Sequence, residues 1–266
     1  MSVRTYTWYP PAGRRRSPGA VARAVPWALA GLTVLAQIAY PLTDGDALDD
    51  LTAVTVVLFF LATVTHAWAW RGTAWAAGYT AIVVVFGLLI EAIGTATGFP
   101  FGAYDYADSL GAKVLGVPWV IPLAWAMMAY PALLAGQKLV RSRLLVPLVA
   151  GVAMAAWDLF LDPQMVEAGH WTFANPEPSI PWSGGVPWTN LAGWLGFSIL
   201  LMAILDRLPR RDADDHQPAI LYLWTYVSSV VANLFFWGRP GVALVGGIGM
   251  GLIAVPYAWL LWRDRP

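Results

Sequence analysis

The sequence predicts an all-α fold, a polytopic membrane helix bundle of about eight transmembrane helices with both termini in the cytoplasm. Two observations support this fold class. Of the 266 residues, 58% are hydrophobic and only 12% are charged, whereas about a quarter of a soluble domain is charged. The apolar residues also form runs of about 20, the length that a helix needs to cross ~30 Å of hydrocarbon.

Eight such runs follow one another along the chain. They lie near 21–40, 51–70, 74–97, 117–138, 143–161, 187–205, 219–237 and 241–262. The first run is long for the core of a signal peptide, and no clean small-x-small cleavage site follows it, so we predict that it is a retained span.

The charges predict how the chain is arranged around these spans. Residues 1–20 carry four arginines among proline and glycine, and we predict a disordered basic tail there, followed by a single transmembrane domain over 21–266. With the N-terminus inside, fourteen of the sixteen Lys and Arg residues lie on the cytoplasmic side, and only Lys113 and Arg239 fall outside. Membrane proteins normally carry more Lys and Arg in their cytoplasmic loops than in their outer loops. We therefore predict a multi-pass protein of a bacterial cytoplasmic membrane.

Several classes of chemistry are disfavoured by composition. The chain has no cysteine, which excludes disulfides and thiolate chemistry. Its three histidines, His66, His170 and His216, lie far apart in sequence, so a histidine-rich metal site is not expected, and only carboxylates remain as metal ligands. We predict that His66 is a packed or interfacial histidine rather than a ligand and that His216 is solvated. No dinucleotide-binding fingerprint is present, and we expect no cofactor, no metal and no nucleic-acid partner.

Acidic side chains inside the spans are the main candidates for function. Asp158 and Asp162 are four residues apart and therefore share one helical face, and Pro163 is expected to end that helix. Glu91 lies about six residues from the outer end of the third span, roughly 9 Å deep. In the predicted orientation all three belong to the outer leaflet. Ionisable groups inside a membrane are costly and usually functional.

Glycines surround Glu91 on its own helical face. Gly87 and Gly94 lie one turn before it and one turn after it, so we predict that this face approaches another backbone closely.

Structural roles are the alternatives for these polar residues. Asp162, directly before Pro163, fits helix termination equally well. Asn190 opens the sixth span, and for this residue alone an N-cap is the favoured interpretation. Asp158 and Glu91 fit a purely structural role less well, because a carboxyl group at such depth is rare without a function.

Two long loops lie on the same predicted side as the acidic residues. They cover 98–116 and 163–186 and are rich in glycine, proline and aromatic residues. Loops of this length in a compact protein are usually functional. We predict that they form a lid over the acidic residues.

These segments resemble the integral-membrane carotenoid biosynthesis proteins, the family that includes bisanhydrobacterioruberin hydratase and the bacterial γ-carotene hydratases. The resemblance covers roughly residues 85–200, and the first two and last two spans resemble the family only in hydrophobicity. It rests on the joint order of Glu91, 98–106 (GFPFGAYDY), 116–118 (GVP), 158–163 (DLFLDP), Trp171, 185–187 (GVP), Asn190 and Gly193-Trp194. The chain departs from the family pattern at Phe173, at Leu191 and at Ser183-Gly184.

The resemblance implies a cofactor-independent carotenoid 1,2-hydratase. Such an enzyme adds water to the terminal C1–C2 double bond of an acyclic carotenoid. The expected substrate is lycopene-like or a C50 precursor taken from the bilayer, with water as the second reactant. Association with other carotenoid enzymes is a further expectation.

Hydration needs an acid to protonate the alkene, a shielded cation and a water held by a base. Glu91 suits the acid, because a carboxyl group removed from water can stay protonated near neutral pH. Asp158 or Asp162, nearer the aqueous edge, suits the base, and the reverse assignment stays open. The predicted substrate-binding residues, several of them aromatic residues that can face a cation, are Tyr104, Tyr106, Trp157, His170, Trp171, Asn190 and Trp194. Trp157 and Trp194 also fit core or interfacial roles.

Three other functions fit parts of this pattern. A carotenoid cyclase or isomerase would use the same protonation without the water. A proton-coupled transporter would explain acidic residues in the membrane, but it predicts polar groups through both leaflets, often with repeat symmetry, and the inner half of the spans is almost devoid of charge. A non-catalytic carotenoid-binding or scaffold protein explains the aromatic residues but not three converging carboxyl groups.

Overall fold

The fold is a bundle of long apolar helices. The structure, a computed structural model, describes residues 18–264, and within this part of the chain eight helices are long and apolar enough to cross a membrane. This confirms the predicted fold class. The helices are α1 (Ala20–Ala39), α2 (Gly45–Arg71), α3 (Thr73–Thr97), α4 (Val120–Leu139), α5 (Leu145–Glu167), α6 (Trp188–Leu205), α7 (His216–Phe235) and α8 (Pro240–Arg263). The predicted basic tail lies outside the described residues up to residue 17, and α1 begins at Ala20.

Helices α4 and α5 form the centre of the bundle. Helix α4 is buried along nearly its whole length, and α5 along most of it, whereas the other helices expose large apolar side chains on one face. Helix α5 packs against α4, α6 and α8. A polar side chain on α4 or on the buried face of α5 is therefore shielded from lipid.

Within residues 18–264, four short strands add to the predicted helical architecture. They are β1 (Tyr104–Tyr106), β2 (Lys113–Val114), β3 (Val117–Pro118) and β4 (Trp171–Phe173). Strand β1 pairs antiparallel with β4, and β2 pairs antiparallel with β3. The β1–β4 pair ties the two long loops together. We call the end of the bundle that carries these loops the loop side.

Helix α5 does not end at Pro163. It continues to Glu167, so the prediction that Pro163 ends the helix is wrong. A proline inside a helix removes one backbone hydrogen bond, and neighbouring helices can support the chain at that point. Asp162 consequently lies inside the helix, more than one turn before its last residue, and does not terminate it.

A buried polar network lies at the end of the bundle opposite the loop side. The Arg71 guanidinium donates to both carboxylate oxygens of Asp215, at 2.8 and 2.9 Å, and also to the Tyr130 hydroxyl. His66 contacts the Tyr130 hydroxyl at 3.0 Å and the backbone oxygen of Asp214 at 2.8 Å. The prediction of a packed His66 is thus confirmed. The network fastens the start of α7 to α2 and α4.

Candidate functional site

Three carboxyl groups lie buried near the loop side. Glu91 on α3 and Asp162 on α5 are each 3% exposed, and Asp158, one turn before Asp162, is 1% exposed. Glu91 and Asp162 line the same small cavity of about 30 Å³. Asp158 lies behind Asp162 and does not line it. The fold therefore brings side chains from two helices, distant in sequence, to one small cavity.

Glu91 accepts hydrogen bonds from three side chains. The hydroxyl groups of Tyr104 and Tyr106 donate to Oε2, at 2.6 and 2.8 Å, and the Trp125 indole donates to Oε1, at 2.9 Å. Burial and the neighbouring Glu91 charge raise the pKa of both tyrosines well above the usual value. Both hydroxyls therefore keep their protons at physiological pH and act as donors to Glu91.

The glycines beside Glu91 make room for these donors. A Cβ atom at Gly87 would lie 3.0 Å from the Trp125 ring, and one at Gly94 would lie 2.8 Å from the Tyr104 hydroxyl. The predicted close approach therefore involves side chains rather than another helix backbone. Without side chains of their own, the two glycines let Trp125 and Tyr104 reach the carboxyl group from above and below.

Asn190 holds the two aspartates together. It is the third residue of α6 and is buried, and its amide donates to Asp158 Oδ2 at 2.9 Å and also to Asp162 Oδ2. The N-cap position belongs to Pro187, so the prediction that Asn190 caps the helix is wrong. Among residues 18–264, the other Asp158 oxygen has no hydrogen-bond partner. Two carboxyl groups on one amide lie so close that two negative charges would repel each other strongly, and the arrangement suits a pair that holds one proton.

The β1–β4 sheet covers this cavity with aromatic rings. Tyr104 lies opposite Phe173, and Tyr106 lies opposite Trp171. Because side chains alternate along a strand, these four rings share one face of the sheet, and all four line the cavity. The central residue of each strand is exposed instead. The loops thus close the site by a regular strand pairing.

Three tryptophans continue the aromatic wall. Trp194 stacks on Trp125 with ring centroids 4.3 Å apart, and Trp157 meets Trp194 edge-on at 6.2 Å. Trp125 was not among the predicted site residues. A signal for it exists in the sequence, because an indole N–H deep in a span is a donor that needs a partner.

A second, larger cavity lies beside the first. Its volume is about 130 Å³, and Trp157 and Trp171 are among its lining residues. His170 lines neither cavity: it is buried, with Nδ1 at 2.8 Å from the Ser109 hydroxyl. His216 is largely exposed and pairs with Asp214. Among the predicted binding residues, His170 therefore has no observed place in the cavity that holds Glu91 and Asp162.

Aromatic rings and carboxyl groups are the main chemical groups that this site offers to a ligand. In the described part of the chain, no three His, Asp or Glu side chains are grouped so that they could hold a metal ion. The rings can face an apolar or cationic ligand, and the carboxyl groups can exchange protons with it.

Sequence similarity to known proteins covers most of the chain. A family model described as carotenoid biosynthesis protein matches residues 51–259, so the resemblance extends beyond 85–200 into α2, α7 and α8. Bisanhydrobacterioruberin hydratase of Haloarcula japonica is 32% identical over 187 residues, which are 66% of this chain and 59% of that relative. The chain spans about three fifths of the relative's length. No solved structure matches the chain. Since the family match covers most of the chain, including every residue of the carboxyl cluster, this multi-pass membrane protein belongs to the carotenoid biosynthesis protein family.

Proposed function

We propose that the chain is a carotenoid 1,2-hydratase, which adds water to the terminal C1–C2 double bond of an acyclic carotenoid and gives a tertiary alcohol. The observation that carries the proposal is that Asp162 and Glu91 line one buried cavity whose other walls are largely aromatic. Protonation of an alkene needs this combination of an acid, a counter-charge and π surfaces. The similarity to a relative named as a hydratase supports the same reaction.

The acid in this proposal is the aspartate pair. Asn190 holds Asp158 and Asp162 against each other, so the pair keeps one proton, and Asp162 presents it to the cavity. Glu91 is assigned the charged form, because three hydrogen-bond donors stabilise a carboxylate. This reverses the assignment favoured by the sequence, in which Glu91 was the acid.

The reaction then proceeds in two steps. The proton of the aspartate pair moves to C2 of the alkene, whose π electrons form the new C–H bond and leave a tertiary cation at C1. The faces of Trp171 and Trp194 and the negative charge of Glu91 stabilise this cation. A water oxygen next bonds to C1, and one proton of that water returns to the aspartate pair. The net change is the addition of one water, and the protein is regenerated.

Mass analysis of the product tests the proposal. The full-length protein, purified in detergent, is incubated with lycopene in oxygen-labelled water. The expected product gains the mass of one or two waters and carries the label in its hydroxyl groups. A product that gains a ring without a mass change would establish a cyclase instead, and pigments left unchanged across several acyclic carotenoids would refute the enzyme.

A further inference from the structure

The larger cavity beside the reaction site has an unusually polar lining for the membrane region of a protein. It lies between α1, α2, α4, α5 and α7, and eight of its lining residues carry a hydroxyl or amide group. A cavity that binds only a hydrocarbon chain needs no hydroxyl or amide groups. A polar group buried without a hydrogen-bond partner is also costly.

Two of the lining residues carry an unpaired polar atom in the described part of the chain. Among the described residues, Thr55 Oγ1 and Gln37 Oε1 are buried and accept or donate no hydrogen bond, and Thr55 as a whole is only 8% exposed. The Thr225 hydroxyl, in contrast, donates to the backbone oxygen of Leu221 in its own helix at 2.9 Å. Both residues line the larger cavity, and polar groups that lack a protein partner inside proteins are most often satisfied by water.

The polar groups descend from the loop side into the bundle. At the loop-side end, Tyr40 and Thr52 are hydrogen-bonded at 3.0 Å. Gln37 lies one turn deeper than Tyr40 on α1, and Thr55 lies one turn deeper than Thr52 on α2. All four line the cavity. Together they place hydroxyl and amide groups at two depths along the cavity wall.

The larger cavity adjoins the reaction site. Four residues line both cavities, namely Ile121, Ala124, Leu161 and Trp171. Asp162 directly follows Leu161 in α5. The two spaces are thus separated by a wall one side chain thick, beside the carboxyl group that faces the alkene.

We propose that the larger cavity is a water compartment that supplies the water captured by the cation. The proposal rests on the hydratase function proposed above. A water molecule in the liquid occupies about 30 Å³, so a space of this size holds several. In the capture step, the oxygen of one such water bonds to C1 and one of its protons goes to the aspartate pair. When no water is within reach, the cation instead loses a carbon-bound proton to the same pair and reverts to an alkene.

Two substitutions that barely change the cavity's shape test this role. Thr55→Val and Gln37→Leu remove the two unpaired polar atoms, and removal of an unpaired buried group does not destabilise a fold. Thr80→Val is the matched control, because the Thr80 hydroxyl also has no partner among the described residues but lines neither cavity. Each full-length variant is purified and incubated with lycopene in D₂O. Deuterium on carbon then reports protonation, and the hydroxyl group reports capture by water.

The expected result is a change in the fate of the cation. Both variants should take up deuterium about as fast as the parent and Thr80→Val. Their ratio of alcohol to deuterated alkene should fall about tenfold, the change that loss of one or two hydrogen bonds produces.

Two outcomes would overturn the water compartment alone. One is an unchanged ratio of alcohol to deuterated alkene. The other is the loss of both products in a folded variant, which would assign the cavity to the carotenoid chain. If the parent itself places no deuterium in any product, the hydratase proposal fails, and the compartment fails with it.

Discussion

Asn190 donates a hydrogen bond of 2.9 Å to Asp158, and the same amide nitrogen donates to Asp162. One side chain at the start of α6 thus fixes the distance between two carboxyl groups on α5. In the proposed mechanism this contact decides where the proton is kept before it reaches the alkene.

Removal of this amide should impair hydration more than folding. Asn190→Ala leaves the two carboxyl groups without a common donor, and we expect the hydration rate to fall about 10²-fold. Asn233→Ala is the control, because Asn233 is also fully buried but donates only to the backbone of its own helix. Rates are measured at equal amounts of membrane-inserted protein. Equal rates for the two variants would show that the Asn190 amide has no role in catalysis.

Each of the two tyrosines that donate to Glu91 should make its own contribution to the hydration rate. Tyr104→Phe and Tyr106→Phe keep the rings of the sheet but remove one hydrogen bond to the carboxylate. A hydrogen bond to a charged group is worth about 1.5–3 kcal/mol, so each variant should lose at least about tenfold in rate. Tyr226→Phe, which removes a hydroxyl bonded to the Gly247 backbone, should stay near the parent rate. Parent-like rates for both test variants would argue against a charged Glu91 in the reaction.

The β1–β4 pair offers a test of the proposed lid. Asp105 and Thr172 are exposed and directly paired, and the chain has no cysteine of its own. An Asp105→Cys/Thr172→Cys double variant should therefore form one disulfide on oxidation and hold the sheet closed. We expect turnover of added carotenoid to stop on oxidation and to return on reduction, with the single variants unaffected. Full turnover in the oxidised double variant would mean that the substrate enters without opening this sheet.

The predicted orientation is tested by reporter fusions at six points. Fusions that should report the cytoplasm follow Arg71, Arg143 and Arg211. Fusions that should report the outer side follow Asp46, Asp105 and Glu177. A single reversed position would remove the argument that the acidic residues lie in the outer leaflet.

The sequence predicts the helices well because each is a long apolar run of membrane-spanning length. It does not predict β1 and β4, which are only three residues long. Their alternating patterns, YDY and WTF, fit strands, but the pairing joins segments more than sixty residues apart. Such a pairing depends on where α4 and α5 place the loops, which no local pattern contains.

The wrong local assignments have a common cause. Pro163 and Asn190 carry strong local preferences, for ending and for capping a helix, and burial overrides both. Pro163 is buried inside α5, and Asn190 donates to two buried carboxyl groups. Trp125 was not predicted as a site residue because its hydrogen-bond partner, Glu91, lies on another helix.

The role of the carboxyl groups is the central claim, and amide substitutions test it most directly. Asp162→Asn and Glu91→Gln keep size and hydrogen-bonding capacity but cannot exchange protons. From the sequence alone, an asparagine before Pro163 could still end the helix and position a water, which predicts a smaller loss of rate for Asp162→Asn than for Glu91→Gln or Asp158→Asn. In the structure, Asp162 lines the cavity and Asp158 does not. We therefore expect a larger loss of hydration rate from Asp162→Asn than from Asp158→Asn.

The measurement is the rate of carotenoid hydration at equal membrane accumulation. Glu167→Gln serves as the control, because Glu167 lies on the same helix but is exposed and paired with Arg239. Both Asp162→Asn and Glu91→Gln should accumulate normally and lose about 10²-fold or more in rate, while Glu167→Gln should match the parent. Parent-like hydration by both Asp162→Asn and Glu91→Gln would contradict the proposed proton transfer.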